Sequence, residues 1–324
     1  MATETLEFEE SLVPLLKEVD ALSALPRTDA RERELERLNL KLRQARSEIY
    51  ARLTPWQRVL VARHPSRPDM LHYVDRLFAD FMELHGDRRF ADDHAVVAGT
   101  ACYKGEPVML VGHHKGGDTK AKIYRNFGYA RPEGYRKAIR LMRMAEKFRR
   151  PIIVFVDTPA AYPGVESEER GVAEAIAFNL REMSVLKVPI VVVITGEGGS
   201  GGALGLAIGD RILMQEYSIY SVIPPEGCAA ILWRDSKKKV EAATALKLTA
   251  PDLLECGIID EIVREPVGGA HTSFDEAAIL LDGPLHAALQ SASAPDIDAR
   301  LARRYEKFRD MGKLGADFTD NETS

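Results

Sequence analysis

Between Pro151 and Val263, short and nearly all-apolar runs alternate with stretches of helical period. No other feature of the chain constrains its fold as much. Pro151–Val156 and Val188–Ile194 are apolar at almost every position, and Arg211–Met214 follows the same trend. A strand apolar on both faces is buried on both faces, which is the pattern of parallel strands covered by helices. Glu133–Arg149, with Tyr135, Ile139, Met142 and Ala145 on one face, and Glu168–Leu186 supply helices between such strands. Ile258–Val263 adds a closing strand. Ala95–Tyr103 and Pro107–Gly112, joined at Lys104-Gly105-Glu106, read as a hairpin. The spacing predicts an α/β layered core.

The flanks are helical. Leu12, Leu15, Leu16, Val19 and Leu22 keep helical spacing, Pro26 breaks it, and Thr28 or Asp29 can cap a second helix. Leu35, Leu38, Leu42, Ala45 and Ile49 form a short seam, so this part reads as a helical hairpin arm for packing or oligomerisation. Leu71, Tyr73, Val74, Leu77, Phe78 and Phe81 predict another amphipathic helix. Further helices are expected at Gly201–Ile208, Glu226–Trp233, Lys237–Leu246 and Pro251–Cys256. Asp275–Arg309 reads as a helical segment before a polar tail. The expected division is residues 1–92 as helical arm, 93–266 as core and 267–324 as helical segment and tail.

Composition excludes several classes. The 324 residues carry 44 Lys+Arg against 49 Asp+Glu, a net charge of −5, which argues against generic nucleic-acid or membrane-surface binding. The three cysteines, Cys102, Cys228 and Cys256, form no C-x-x-C pair, so no zinc ribbon or disulfide scaffold is expected within this chain. No apolar run approaches the ~20 residues of a membrane span. Met1–Glu10 is acidic and does not resemble a signal peptide. A cytoplasmic location is expected.

Seven glycines fall between Gly196 and Gly209, directly after an apolar strand and at the start of a helix. Glycine lets a backbone approach a ligand closely, and a helix N-terminus offers unpaired N–H donors. The cluster therefore reads as a functional loop rather than as a packing device. It lacks the Gly-Lys-Ser/Thr of a phosphate-binding P-loop. A dinucleotide fingerprint fits only loosely, because no suitable acidic residue lies downstream. Gly198-Gly199-Ser200-Gly201-Gly202 does match a Gly-x-Ser-x-Gly nucleophile elbow, so a serine hydrolase using Ser200 is the rival reading. A non-catalytic scaffold is the third.

A second loop, Asp157-Thr158-Pro159-Ala160-Ala161-Tyr162-Pro163-Gly164, also leaves a strand end, where α/β proteins bind ligands. A basic run from Lys115 to Arg150 includes Arg131, Arg136, Lys137, Arg140 and Arg143. It suits a phosphate-bearing ligand or an acidic partner as well as it suits a solvated face.

Arg63-His64-Pro65, Pro132-Glu133-Gly134-Tyr135-Arg136-Lys137-Ala138, the 157–164 loop, Glu168-Glu169-Arg170-Gly171, the glycine run and Pro225-Glu226-Gly227-Cys228-Ala229 occur in order. Together they resemble the carboxyltransferase α subunit of bacterial acetyl-CoA carboxylase, from about Phe8 to Arg309. The resemblance implies a crotonase-like spiral of ββα units. It implies carboxyl transfer from carboxybiotin, covalently held on a biotin carboxyl carrier protein, to acetyl-CoA, giving malonyl-CoA for fatty-acid synthesis. It also implies a zinc-ribbon β subunit in an α2β2 assembly, a separate biotin carboxylase that uses the ATP, and no metal in this chain. On that basis Gly201 and Gly202 are expected to be backbone oxyanion donors. Gly198, Gly199, Ser200, Tyr162, Pro163, Gly164, Arg136 and Lys137 are expected to contact substrate. Two positions depart from the family pattern. Ala160 replaces a usual Gly, and a Cβ there costs on the order of 1–2 kcal/mol if the backbone needs φ > 0. Pro224 replaces a common Ser and removes one N–H.

Overall fold

The computed structural model describes residues 5–312. Eight strands form one mixed sheet: β1 (Ala79–Glu83), β2 (Val96–Tyr103), β3 (Glu106–His113), β4 (Ile152–Thr158), β5 (Ile190–Gly199), β6 (Arg211–Gln215), β7 (Ile219–Ser221) and β8 (Glu261–Val263). The order is β1-β2-β3-β4-β5-β6-β8, with β7 pairing to the far end of β5. β1–β2 and β2–β3 are antiparallel, and the remaining pairs are parallel. β4 is buried at every residue, as its unbroken apolar sequence requires.

The helices, in chain order, are α1 (Val13–Ser23), α2 (Asp29–Tyr50), α3 (Pro55–Ala62), α4 (Met70–Leu77), α5 (Thr119–Tyr124), α6 (Pro132–Lys147), α7 (Val165–Glu169) and α8 (Val172–Val185). They continue with α9 (Ser200–Leu204), α10 (Pro225–Leu232), α11 (Lys239–Ala245), α12 (Ala250–Glu255), α13 (Phe274–Ser293) and α14 (Ile297–Asp310). Strand alternation sorts the core into two layers. Ile152, Val154 and Val156 of β4, with Val192 and Ile194 of β5, face α6 and α8 through Tyr135, Leu141, Met142 and Met183. Ile153, Phe155, Val191 and Val193 face the other way, onto Met70 and Tyr73 of α4 and Ala278, Leu281 and Leu285 of α13.

Several expectations change. Phe81 keeps helical spacing, but the helix stops at Leu77. Phe78 is extended at φ −122°, and Phe81 lies in β1. The boundaries expected at 92/93 and 266/267 cut across this packing: β1 pairs with β2, and α13 closes one face of the sheet. The helix expected over 168–186 is two helices, separated at Gly171, whose φ of 75° no helix interior tolerates. β5 continues through the glycine run to Gly199, so α9 is shorter than the sequence suggests. β7 has no counterpart among the expected strands.

The N-terminal segment is tied to the sheet by polar contacts. Thr28 Oγ1 caps α2 by accepting the Arg31 N–H. Tyr50 donates to Glu9 at 3.1 Å and packs edge-on against Tyr217. Arg67, buried, donates to the Thr195 carbonyl at 2.6 Å and makes a two-pronged pair with Glu265 at 2.9 and 2.6 Å. At the other end of the chain, the buried Arg304 donates to Asp210 and to the carbonyls of Met183, Leu186 and Val188.

Candidate active site

β5 delivers the glycine run to the carboxyl edge of the sheet, between β4 on one side and β7 on the other. Packing demands most of these glycines. A Cβ on Gly199 would fall on the Pro159 carbonyl, and one on Gly202 would fall on the Ala160–Ala161 peptide. The 157–164 loop therefore seats its backbone directly on this turn. Gly196 and Gly198 are likewise closed in, by the Asp157 carboxylate and the Tyr220 ring. Packing therefore accounts for most of the glycines in the run.

Gly201 is the exception. A Cβ there would meet nothing nearer than Ile176 Cδ1 at 3.7 Å. Glycine in a helix costs roughly 0.5–1 kcal/mol relative to alanine, and here no neighbour requires it. Gly201 borders an open cleft of about 310 Å³, lined by Ser200, Leu204, Tyr220, Ser221, Val222, Leu246, Leu253 and Ile258. Its walls are mostly apolar. α9 has Gly199 at its N-cap, so no side chain satisfies the N–H groups of the first turn. The cleft thus combines apolar walls with backbone donors at one end. Burial pushes the Tyr220 hydroxyl up to about 12, which keeps it neutral. Nothing in the sequence pattern singles out Tyr220, Leu246, Leu253 or Ile258, which come from three separate segments.

A chain of charges fixes this turn from below. Asp157 Oδ1 accepts the Glu197 N–H at 2.8 Å. Lys115 Nζ lies 2.7 Å from Asp157 Oδ1 and 2.9 Å from Glu197 Oε2. Arg63 donates to Glu197 at 2.6 Å and to Glu226 of α10 at 2.6 Å. Burial alone would raise the pKa of Glu197, but Lys115 and Arg63 outweigh it and hold the carboxyl below its ordinary value. Burial would likewise lower the pKa of Lys115, but Asp157 and Glu197 raise it. The four residues join the ends of β3, β4 and β5 to the segment after α3.

Other expected residues lie elsewhere. Tyr162, Pro163 and Gly164 do not line the Gly201 cleft. The Tyr162 N–H donates to the Ala130 carbonyl, and Arg131 covers its ring at 5.0 Å. Lys137 cannot contact a substrate. It is fully buried, and its Nζ donates to Asp92 at 2.6 Å and to the Asp93 carbonyl at 2.7 Å. It anchors the 92–93 turn to α6. Arg136 donates to the Arg170 carbonyl and borders a different groove. Ala160 has no positive φ, so its Cβ costs nothing in backbone strain. Pro224, at φ −60°, serves as the N-cap of α10.

Ser200 has a φ of 52°, a left-handed value like that of a nucleophile elbow. Among the described residues, no histidine hydrogen-bonds to its hydroxyl. Burial holds the pKa of His113 down at about 3, against a smaller upward pull from the Gly202 backbone. His114 pairs with Asp69 at 3.1 Å, and His271 stacks on His64 at 3.8 Å. These contacts engage His114 and His271 away from the Ser200 hydroxyl, whereas His113 is buried beside the Gly202 backbone and neutral. Among the described residues, no cluster of three or more His, Cys, Asp or Glu could hold a metal ion. No helix among them is long and apolar enough to cross a membrane.

Solved structures share this architecture. Transcarboxylase 12S superposes with a TM-score of 0.57 at 18% identity, covering 70% of this chain and 42% of the other. A Pseudomonas malonate decarboxylase heterotetramer in complex with coenzyme A superposes at 0.53 and 17%, covering 68% and 90%. The fold is thus the crotonase-like α/β fold of carboxyltransferases.

Sequence comparison goes further. Residues 5–312 match the family described as acetyl co-enzyme A carboxylase carboxyltransferase-like. The acetyl-coenzyme A carboxylase carboxyl transferase subunit alpha of Geobacter metallireducens is 57% identical over 310 residues, 95% of this chain and 98% of that protein. The subunit of the same name in Geobacillus thermodenitrificans is 52% identical over 311 residues, 95% and 96% of the two chains. The chain belongs to the alpha-subunit family of the acetyl-CoA carboxylase carboxyltransferases, and it is a carboxyltransferase.

Proposed function

We propose that this chain provides the carboxybiotin half of a site that carboxylates acetyl-CoA to malonyl-CoA, the committing step of fatty-acid synthesis. In the reaction the N–C bond of carboxybiotin breaks. A C–C bond forms between the carboxyl carbon and the acetyl methyl carbon, and the methyl proton ends on the biotin nitrogen. Negative charge develops on the ureido oxygen of biotin and on the thioester oxygen. Preorganised N–H donors stabilise such charge without any nucleophilic side chain. The backbone N–H groups of Gly201 and Gly202 hold the ureido oxygen. Gly198, Gly199 and Ser200 shape the approach.

The observation that carries this reading is the uncapped first turn of α9, opening on an apolar cleft at the one glycine of the turn that packing leaves free. The partners are a zinc-ribbon β subunit in an α2β2 assembly, which supplies the oxyanion donors for the thioester, together with the biotin carrier protein and biotin carboxylase. The assembly works in the cytoplasm. Ser200→Ala tests the reading against a hydrolase. With the β subunit present, the variant forms malonyl-CoA at near the wild-type rate. Loss of all activity would support Ser200 as a nucleophile instead.

A further inference from the structure

A second cavity, of about 380 Å³, lies on the outer side of α6 and α8. Five arginines line it, among them Arg88, Arg89 and Arg140, together with two carboxylates, Asp87 and Glu174, and the Phe178 ring. Ile176 of α8 faces Gly201, whereas Ala175 and Phe178 face this groove, so the two cavities lie on different sides of one helix. The arginines are not neutralised alike. Arg143 pairs with Glu182 at 2.6 Å, and Arg136 approaches Glu133 at 3.7 Å and Asp87 at 4.0 Å. Among the described residues, no carboxylate forms an ion pair with Arg88, Arg89 or Arg140. Arg88 donates to the His85 carbonyl, and Arg140 donates to the carbonyls of His85 and Gly86.

Three features show that folding does not reward this arrangement. Burial and the neighbouring Arg88 depress the pKa of Arg140, with Asp87 and Asp92 offsetting only part of that. The backbone of Arg88 stands at φ 63°, in the left-handed region that costs a non-glycine residue energy. The Nε of Arg136 and the Oδ2 of Asp87 are buried without hydrogen-bond partners. Arg143 lies 4.9 Å over the Phe178 ring, giving the groove a flat apolar wall beside its charges.

We propose that this groove is a binding site for a phosphate-bearing ligand, held by Arg88, Arg89 and Arg140. Forked guanidinium donors match phosphate oxygens, and a polyanion relieves the repulsion between Arg88 and Arg140. The ligand is either a free phosphate compound or the phosphate groups of coenzyme A. The coenzyme A case alone rests on the carboxyltransferase reading above.

Calorimetric titration of the full-length chain at low ionic strength, with inorganic pyrophosphate as the probe, tests the site. Saturable binding is expected. It should weaken as salt rises, and it should fall about tenfold or more in Arg140→Gln. Arg89 is exposed and makes no ion pair that would be lost on substitution. Arg89→Gln therefore keeps the test valid if Arg140→Gln loosens the 85–90 turn, and it should weaken binding in the same direction. Displacement of pyrophosphate by coenzyme A would assign the site to the substrate's phosphates. Binding of pyrophosphate unaffected by coenzyme A would assign it to a free phosphate compound. Absence of saturable binding by either probe overturns the proposal. So does unchanged affinity in both variants, or binding of polyglutamate but not of pyrophosphate. None of these readouts depends on malonyl-CoA formation, so carboxyltransferase activity can stand or fall separately.

Discussion

Replacing Lys115 by Met removes the cation paired with Asp157 and one of the two paired with Glu197. Both carboxylates are buried, and Asp157 also receives the Glu197 N–H. Removing one member of a buried ion pair costs about 3–5 kcal/mol, because the remaining charge is left uncompensated. Lys115 keeps 21% side-chain exposure and Glu197 keeps Arg63, so the lower end, about 3 kcal/mol, applies. At roughly 2 °C per kcal/mol for a chain of this size, the melting temperature should fall by about 6 °C. The Asp157 carboxyl sits where a Gly196 side chain would be, so its displacement moves the glycine turn itself. In malonyl-CoA synthesis with the β subunit, kcat should therefore fall more than KM rises. Lys115→Met/Asp157→Asn is the control. The amide oxygen still accepts the Glu197 N–H, but the stranded charge is gone, so stability should partly recover. Wild-type melting and kcat in the single variant, or additive losses in the double variant, would refute the reasoning.

Gly202→Ala should destabilise the protein by about 1–3 kcal/mol through overpacking against the Ala160–Ala161 peptide, visible in thermal melting. Ser200→Gly should raise stability by about 1 kcal/mol by relieving a left-handed backbone, measured by denaturant titration. Arg67→Met leaves Glu265 buried without its cation and should cost about 3–5 kcal/mol, read from the same titration. Stability should also fall in mild acid. Burial lowers the pKa values of His113, His114 and His271 to about 3, 4 and 2, whereas the unfolded chain protonates them near 6.5. Below about 6.5 the unfolded state binds the extra protons, so each histidine costs up to roughly 2 kcal/mol by pH 5. The melting temperature should drop steadily from pH 7 to pH 5, and His271→Phe should flatten that slope.

Period and apolar continuity place β4, β5 and β6 and the helices between them, because burial on both faces writes itself into consecutive residues. β1 and β7 escape for physical reasons. β1 is an exposed edge strand whose Phe81 happens to continue the helical spacing of α4, and β7 is only three residues long. The glycine run is legible as a special segment but not in its division of labour. Only the neighbours of each glycine reveal that Gly199 and Gly202 yield to the 157–164 backbone while Gly201 yields to nothing. The charge chain is also out of reach, since Arg63 and Glu197 meet across 134 positions of sequence. Lys137 is the converse case. Its place in a basic run suggests solvent, but the fold closes over it and gives it Asp92.

The activity of Gly201→Val with the β subunit present, measured beside its melting temperature, tests the backbone-donor site most directly. The cleft has room for the side chain, so the melting temperature should stay within a few degrees of wild type. The branched side chain blocks the donors, and loss of one oxyanion donor typically costs about a hundredfold or more in kcat. Normal malonyl-CoA synthesis by a stably folded Gly201→Val protein would contradict the donor role of this turn.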